Sequence, residues 1–144
     1  MNDEALVRAE CEALVFRYCV LVDSGDAAEV VDLFTDDAIW SAPGIELRGR
    51  DQLQRGFEAR QRRTDRVSRH VCTTFDLSHT ETDRAEGTVY LTLYRHDLSD
   101  GEQRPAPLNG PAVVGAYHDV FERGPDGWRI AQRRLVVDFV AKES

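Results

Sequence analysis

An aspartate and a histidine 47 positions apart are the residues of this chain best suited to move a proton. Asp23 ends the apolar run LVFRYCVLVDSGD, and His70 stands at the entrance of the strand-like run SRHVCTTFDL. A carboxylate that holds one imidazole nitrogen fixes the tautomer, and the other nitrogen then takes or gives the proton. If the two side chains meet, the pair supports general acid–base chemistry with no cofactor. If they do not, each has a plainer role: Asp23 as a turn former before Ser24 and Gly25, His70 as a partly buried imidazole.

Other polar groups carry less. His79, His96 and His118 follow no metal-ligand spacing and read as solvated strand positions. Cys11, Cys19 and Cys72 are odd in number and lack a CxxC spacing, so they read as buried reduced thiols. Asp36 and Asp37 read as a turn pair. Arg60, Arg62, Arg63, Arg66 and Arg69 form a basic cluster that compensates the negative end of a helix, with an anionic substrate tail as the alternative.

The elements that must position the pair come in two halves. Leu6, Ala9, Ala13, Phe16 and Val20 recur at helical spacing, as do Leu14, Tyr18, Leu21 and Val22 on a neighbouring stripe. One long helix from about Asn2 to Val22 fits both. Asp26 can cap a second, short helix with Val30, Val31, Leu33 and Phe34, and a short strand Ala38 to Trp40 stops at Pro43 and Gly44. Asp51 is the expected N-cap of a third helix that carries Leu53 and Phe57.

From Val67 the pattern alternates, and strands are expected over about 67–79, 84–96, 112–123 and 127–140. Short turns between most of them imply an antiparallel meander whose one face the three helices cover. Val89, Leu91 and Leu93 belong to the helix-covered face, and Thr88, Tyr90, Thr92 and Tyr94 to the other. That tyrosine-rich face predicts subunit contact, a homo-oligomer of two or three copies. The loop 97–111 is long for a hairpin and reads as either a pocket rim or a subunit contact.

Composition bounds the rest. The 144 residues suit one domain, 1–144, with a core of its own. A net charge of −8 argues against nucleic acid and anionic membrane surfaces as partners. No apolar run approaches a membrane span, and the acidic start MNDEALVRAE is unlike a signal peptide, which together predict a cytoplasmic location.

The order helix, short helix, strand, helix and curved four-strand meander resembles the cone-shaped nuclear-transport-factor-2-like fold. The stretches YCVLVDSGDAAEVVDLFTDDAIW, GRDQL and GAYHDVFERGPDGWRIAQRR are similar to its SnoaL-like family. The resemblance implies an α+β cone, with three N-terminal helices packed on a curved, mainly antiparallel sheet enclosing a pocket. Within the family the chain looks most like the Asp–His lyases: scytalone dehydratase, bile-acid 7α-dehydratase and hexachlorocyclohexane dehydrochlorinase. Asp23 and His70 match the positions of their dyad, and Tyr18 matches the tyrosine of the dehydratases. Trp40 and Arg133 match a tryptophan and an arginine of the dehydrochlorinase. Its lysine near the aspartate has no counterpart, since Val20 and its neighbours are apolar, which favours dehydration over halide elimination.

On this reading neutral His70 takes a proton from carbon and Asp23 stabilises the imidazolium. Tyr18 donates to a carbonyl or departing hydroxyl, and Arg133 stabilises developing negative charge, unless a β-bulge brings Arg134 inward instead. Trp40, Phe57, Val89, Leu91 and Leu93 are the expected pocket walls for a small hydrophobic cyclic, polyketide- or steroid-like substrate, with no cofactor and no metal. The alternatives are a SnoaL-type aldol cyclase or ketosteroid-type isomerase with Asp23 as base, and a non-catalytic binding or assembly domain.

Overall fold

The computed structural model describes residues 3–142. Helix α1 spans Asp3–Asp23 and buries Val7, Cys11, Val15, Tyr18, Cys19 and Val22, a stripe at three- and four-residue spacing. The neighbouring stripe of Leu6, Phe16 and Val20 faces outward, at 47%, 42% and 54% exposure. The helix closes with the Ser24 amide on the Val20 carbonyl at 2.9 Å. Gly25 then turns the chain at φ +92°, a left-handed conformation that suits glycine.

A 3₁₀ helix follows over Ala27–Leu33 and buries Ala27, Val30 and Val31. Asp26 sits at its N-cap position, but the Asp26 side chain makes no capping bond and accepts from the Ser24 hydroxyl instead. Strand β1 runs over Phe34–Ala42, so Asp36 and Asp37 lie inside a strand rather than at a turn. Pro43 and Gly44 turn it into β2, Ile45–Arg48, a strand that the sequence pattern did not predict. Helix α2, Gly49–Gln61, buries Leu53 and Phe57. Arg48 occupies its N-cap position, so Asp51, the expected cap, lies instead in the first turn, three residues further on.

The expected strand 67–79 is two strands, β3 over Arg66–Val71 and β4 over Phe75–Thr80. Both pair with the same edge of β5, Arg84–Asp97, and the break at Cys72 to Thr74 lets Phe75 lie close over Gly87. A Cβ on Gly87 would stand 2.9 Å from the Phe75 ring. Strands β6, Val113–Gly124, and β7, Gly127–Val140, complete the meander. The sheet order is β2-β1-β7-β6-β5-β3, antiparallel except for β1 on β7.

The result is the expected α+β cone, except that its seven-stranded sheet is open at both ends. Helices α1, α2 and the 3₁₀ helix cover the concave face, where Tyr18, Phe34, Phe57, Val89, Leu91, Leu93, Tyr117 and Phe121 form one core. Cys11, Cys19 and Cys72 are buried free thiols. No helix among the described residues is long and apolar enough to cross a membrane.

Candidate active site

The end of α1 and the middle of β3 bring the two polar residues together. His70 pairs with Leu93 across the sheet, and its ring turns to the concave side under α1. Its Nδ1 lies 2.7 Å from Asp23 Oδ1, and its backbone N–H donates to Asp23 Oδ2 at 2.7 Å. Ser68, two residues earlier on the same face of β3, donates its hydroxyl to Asp23 Oδ1 at 2.8 Å. The Arg60 guanidinium of α2 donates to the Ser68 oxygen, also at 2.8 Å. The Asp23 side chain is 4% exposed and that of His70 11%.

A carboxylate that accepts three hydrogen bonds is held in its ionised form. Burial pushes the Asp23 carboxyl up, but the bonds and charge of His70 and the Ser68 hydroxyl outweigh it and hold Asp23 below the usual carboxylate range. With Nδ1 committed to Asp23, the Nε2 nitrogen of His70 is the one left for proton transfer.

Tyr18 connects this pair to the rest of the interior. Its ring stands edge-to-face with His70 at 6.3 Å between centroids, and with Phe57 at 5.9 Å. Trp40 Nε1–H donates to its hydroxyl oxygen at 3.1 Å, and the Tyr117 hydroxyl is a second hydrogen-bond neighbour of that group. Burial raises the Tyr18 and Tyr117 hydroxyls above the ordinary tyrosine value, which keeps both protonated.

Arg133 is fully buried, and its guanidinium lies 4.4 Å from the centroid of Tyr18 and 3.7 Å from that of Tyr117. Asp119 of β6 takes its Nε and Nη2 hydrogens, each at 2.9 Å. Burial pulls the Arg133 proton affinity down, but the paired Asp119 more than offsets this and the group stays charged. Its Nη1 is buried with no partner among the described residues. An orphaned cationic donor is costly unless something occupies it. Arg134, by contrast, is exposed.

The expected wall residues Phe57, Val89, Leu91 and Leu93 all sit in the core under the helices, and Trp40 packs at its edge. Three members of the constellation were not among the candidates: Ser68, Arg60 and Asp119. Ser68 and Asp119 carried a signal, since each is a polar residue at an inward position of an alternating run. Arg60 was legible only as part of the basic cluster, two members of which are neutralised locally: Arg63 pairs with Asp65 and Asp97, and Arg66 with Asp97. The other histidines lie elsewhere, with His79 on Glu81 and His96 on Glu102. Among the described residues no group of three or more His, Cys, Asp or Glu side chains is placed to hold a metal ion.

Residues 3–134 match a family model described as a SnoaL-like domain. No curated protein matches the chain. Among solved structures it is similar to a variant of Rv3472, a protein of unknown function from Mycobacterium tuberculosis, at 26% identity and a TM-score of 0.79, over 96% of this chain and 75% of that one. An NTF2-like protein with a cystatin-like fold from Novosphingobium aromaticivorans aligns at 24% identity and a TM-score of 0.73, over 90% of this chain and 80% of that one. A candidate scytalone dehydratase from the same organism aligns at 20% identity and a TM-score of 0.80, over 100% of this chain and 93% of that one. The last two likenesses are of fold.

Proposed function

We propose that this chain, which belongs to the SnoaL-like domain family, is a cofactor-independent lyase of the dehydratase type, or an isomerase, acting on a hydrophobic cyclic, polyketide- or steroid-like small molecule. The observation that carries the reading is the 2.7 Å contact of His70 Nδ1 with an Asp23 carboxylate whose other oxygen is already engaged. In the elimination, His70 Nε2 takes a proton from the carbon beside a carbonyl. The C–H electron pair becomes the new double bond and the hydroxyl on the next carbon departs. The imidazolium or the Tyr18 hydroxyl supplies the proton that makes it water. Arg133 Nη1 is the donor best suited to the oxygen that gains negative charge.

The same geometry disfavours Asp23 as a lone base for aldol cyclisation or ketosteroid-type isomerisation. Its oxygens already accept from Ser68, the His70 amide and the His70 ring, which leaves little basicity for a carbon acid. One observation favours a second reading, a non-catalytic binding or assembly domain: five surface concavities of the described residues are lined by neither Asp23 nor His70. We also take the chain to act in the cytoplasm and to self-associate through the outer sheet face around Tyr90 and Tyr94.

A panel of cyclic β-hydroxy ketones, followed by the ultraviolet absorbance of the conjugated product, separates these readings. The native chain turns over at least one member, and His70→Ala lowers kcat by about 10²–10⁴. Full activity in His70→Ala would transfer the base to Asp23, and saturable binding with no turnover would favour the binding domain.

A further inference from the structure

The Asp23–His70 contact poses an electrostatic problem for a base. A buried carboxylate against an imidazole strengthens its hold on a proton, and a base that is already protonated is useless. Arg60 and Ser68 bear on this. Among the described residues Arg60 has no carboxylate partner; its side-chain hydrogen bonds go to Ser68 Oγ at 2.8 Å and to the Arg63 carbonyl at 3.4 Å. Because the Ser68 oxygen accepts from Arg60, its own hydrogen is directed at Asp23 Oδ1, at 2.8 Å. That is the same oxygen that meets His70 Nδ1.

We propose that Arg60, acting through the Ser68 hydroxyl, is a positioning residue that draws the negative charge of Asp23 away from His70 and so loosens the dyad's hold on its proton. The proposal rests on the reading of Asp23 and His70 as the catalytic pair. Arg60 and Ser68 touch neither substrate nor the reacting atoms in it.

The other charged and titratable groups around the pair do not replace this effect. From α1 come the Tyr18 hydroxyl, which burial raises, and the Cys19 thiol, which its hydrogen bond with Cys72 holds below the usual thiol value; beside β3 the same bond and burial push the Cys72 thiol up. From β3 and the turn before it, Arg66 and Arg63 are tied to Asp97 and Asp65. On β7, Arg133 is tied to Asp119. Arg95 of β5 stands across from Ser68 in the register of β3 on β5, with Arg66, Arg63 and Asp97 as its charged neighbours and no hydrogen bond to Ser68 or Asp23 among the described residues. Arg60 is therefore the cation with a continuous hydrogen-bonded route to Asp23. Consistently, burial and the neighbouring Arg66 lower its own proton affinity, as expected of a guanidinium held without a countercharge in contact.

The test uses the intact protein without ligand. The dyad's titration is followed at the His70 Cε1–H resonance in the native chain, Ser68→Ala, Arg60→Met and Arg60→Lys. The titration midpoint moves up by about half to one pH unit in Ser68→Ala and Arg60→Met. Arg60→Lys, which keeps the charge near Ser68, recovers most of the native midpoint. An unmoved or lowered midpoint in Ser68→Ala, or equal effects of Met and Lys at position 60, overturns the proposal. Near-ultraviolet circular dichroism reports whether each variant is folded, and the small Ser68→Ala change carries the test if Arg60→Met is not. Once a substrate is in hand, the acid limb of kcat moves the same way with KM little changed. An unmoved midpoint sinks the role of Arg60 while leaving the dyad intact; activity retained in His70→Ala sinks the dyad while leaving the electrostatic coupling measurable.

Discussion

Asp23 gathers His70 and Ser68, and through Ser68 Arg60, onto one side chain, and that has a consequence for stability. Its carboxyl titrates below the usual range in the fold because His70 and Ser68 bond to the ionised form. A depressed folded-state value means that the ionised group stabilises the fold above the unfolded value, about 3.9, and that the contribution disappears as pH falls through the folded one. Asp23→Asn keeps the shape but not the charge. Urea unfolding at pH 7, 5 and 3.5 should therefore show the native chain ahead at pH 7, with the gap closing below about pH 4. A gap that stays constant with pH would mean that shape alone matters. The two ends of this site were legible from residue type and register. Ser68 was legible in principle, because it shares the inward face of β3 with His70. Arg60 was not, since which of several clustered arginines reaches inward depends on how the end of α2 packs on β3.

At the scale of elements, one β-bulge decides which arginine serves the interior. Trp128 and Ile130 point inward, and strict alternation would send Arg134 after them. The register of β6 on β7 shifts between Val120 and Phe121, so Ala131 is an extra residue and Arg133 turns inward instead. Alternation alone leaves this open, because a bulge has no obligatory sequence mark. The break between β3 and β4 has the same character: Thr73 and Thr74 are β-branched residues that would suit a continuing strand, yet they lie exposed in the gap before Phe75, whose ring packs close over Gly87. Once Arg133 is inside, β6 must supply Asp119, and the fully buried pair ties the two longest-paired strands together. Removing one partner leaves an uncompensated buried charge. Asp119→Leu and Arg133→Met should each cost about 3–5 kcal/mol in urea unfolding, and the double variant should be markedly more stable than either. Additive losses in the double variant would show that the two residues act separately.

At the scale of the whole molecule, two groups of exposed apolar side chains among the described residues differ in geometry. On α1, Leu6, Phe16 and Val20 make a narrow stripe spread over a curved helix face interrupted by Glu10, Glu12 and Arg17. On the convex face of the sheet the apolar positions are adjacent across strands. Tyr90, Ala116 and Val136 form one cross-strand row, and Thr92, Val114 and Phe139 form the next. Tyr90 is 59% and Phe139 69% exposed. A stable homo-oligomer needs about 800 Å² buried per partner with apolar and aromatic residues at its centre. A contiguous belt across three strands suits that need better than a single interrupted helix stripe. It follows that Tyr90→Glu combined with Phe139→Ser should convert the protein to monomers in light-scattering chromatography. Phe16→Glu combined with Val20→Glu should leave the native mass unchanged. Since neither pair touches the core, circular dichroism should show the same secondary structure in all three proteins. A native chain already monomeric at micromolar concentration, or monomers produced by the helix pair, would place the contact elsewhere or remove it.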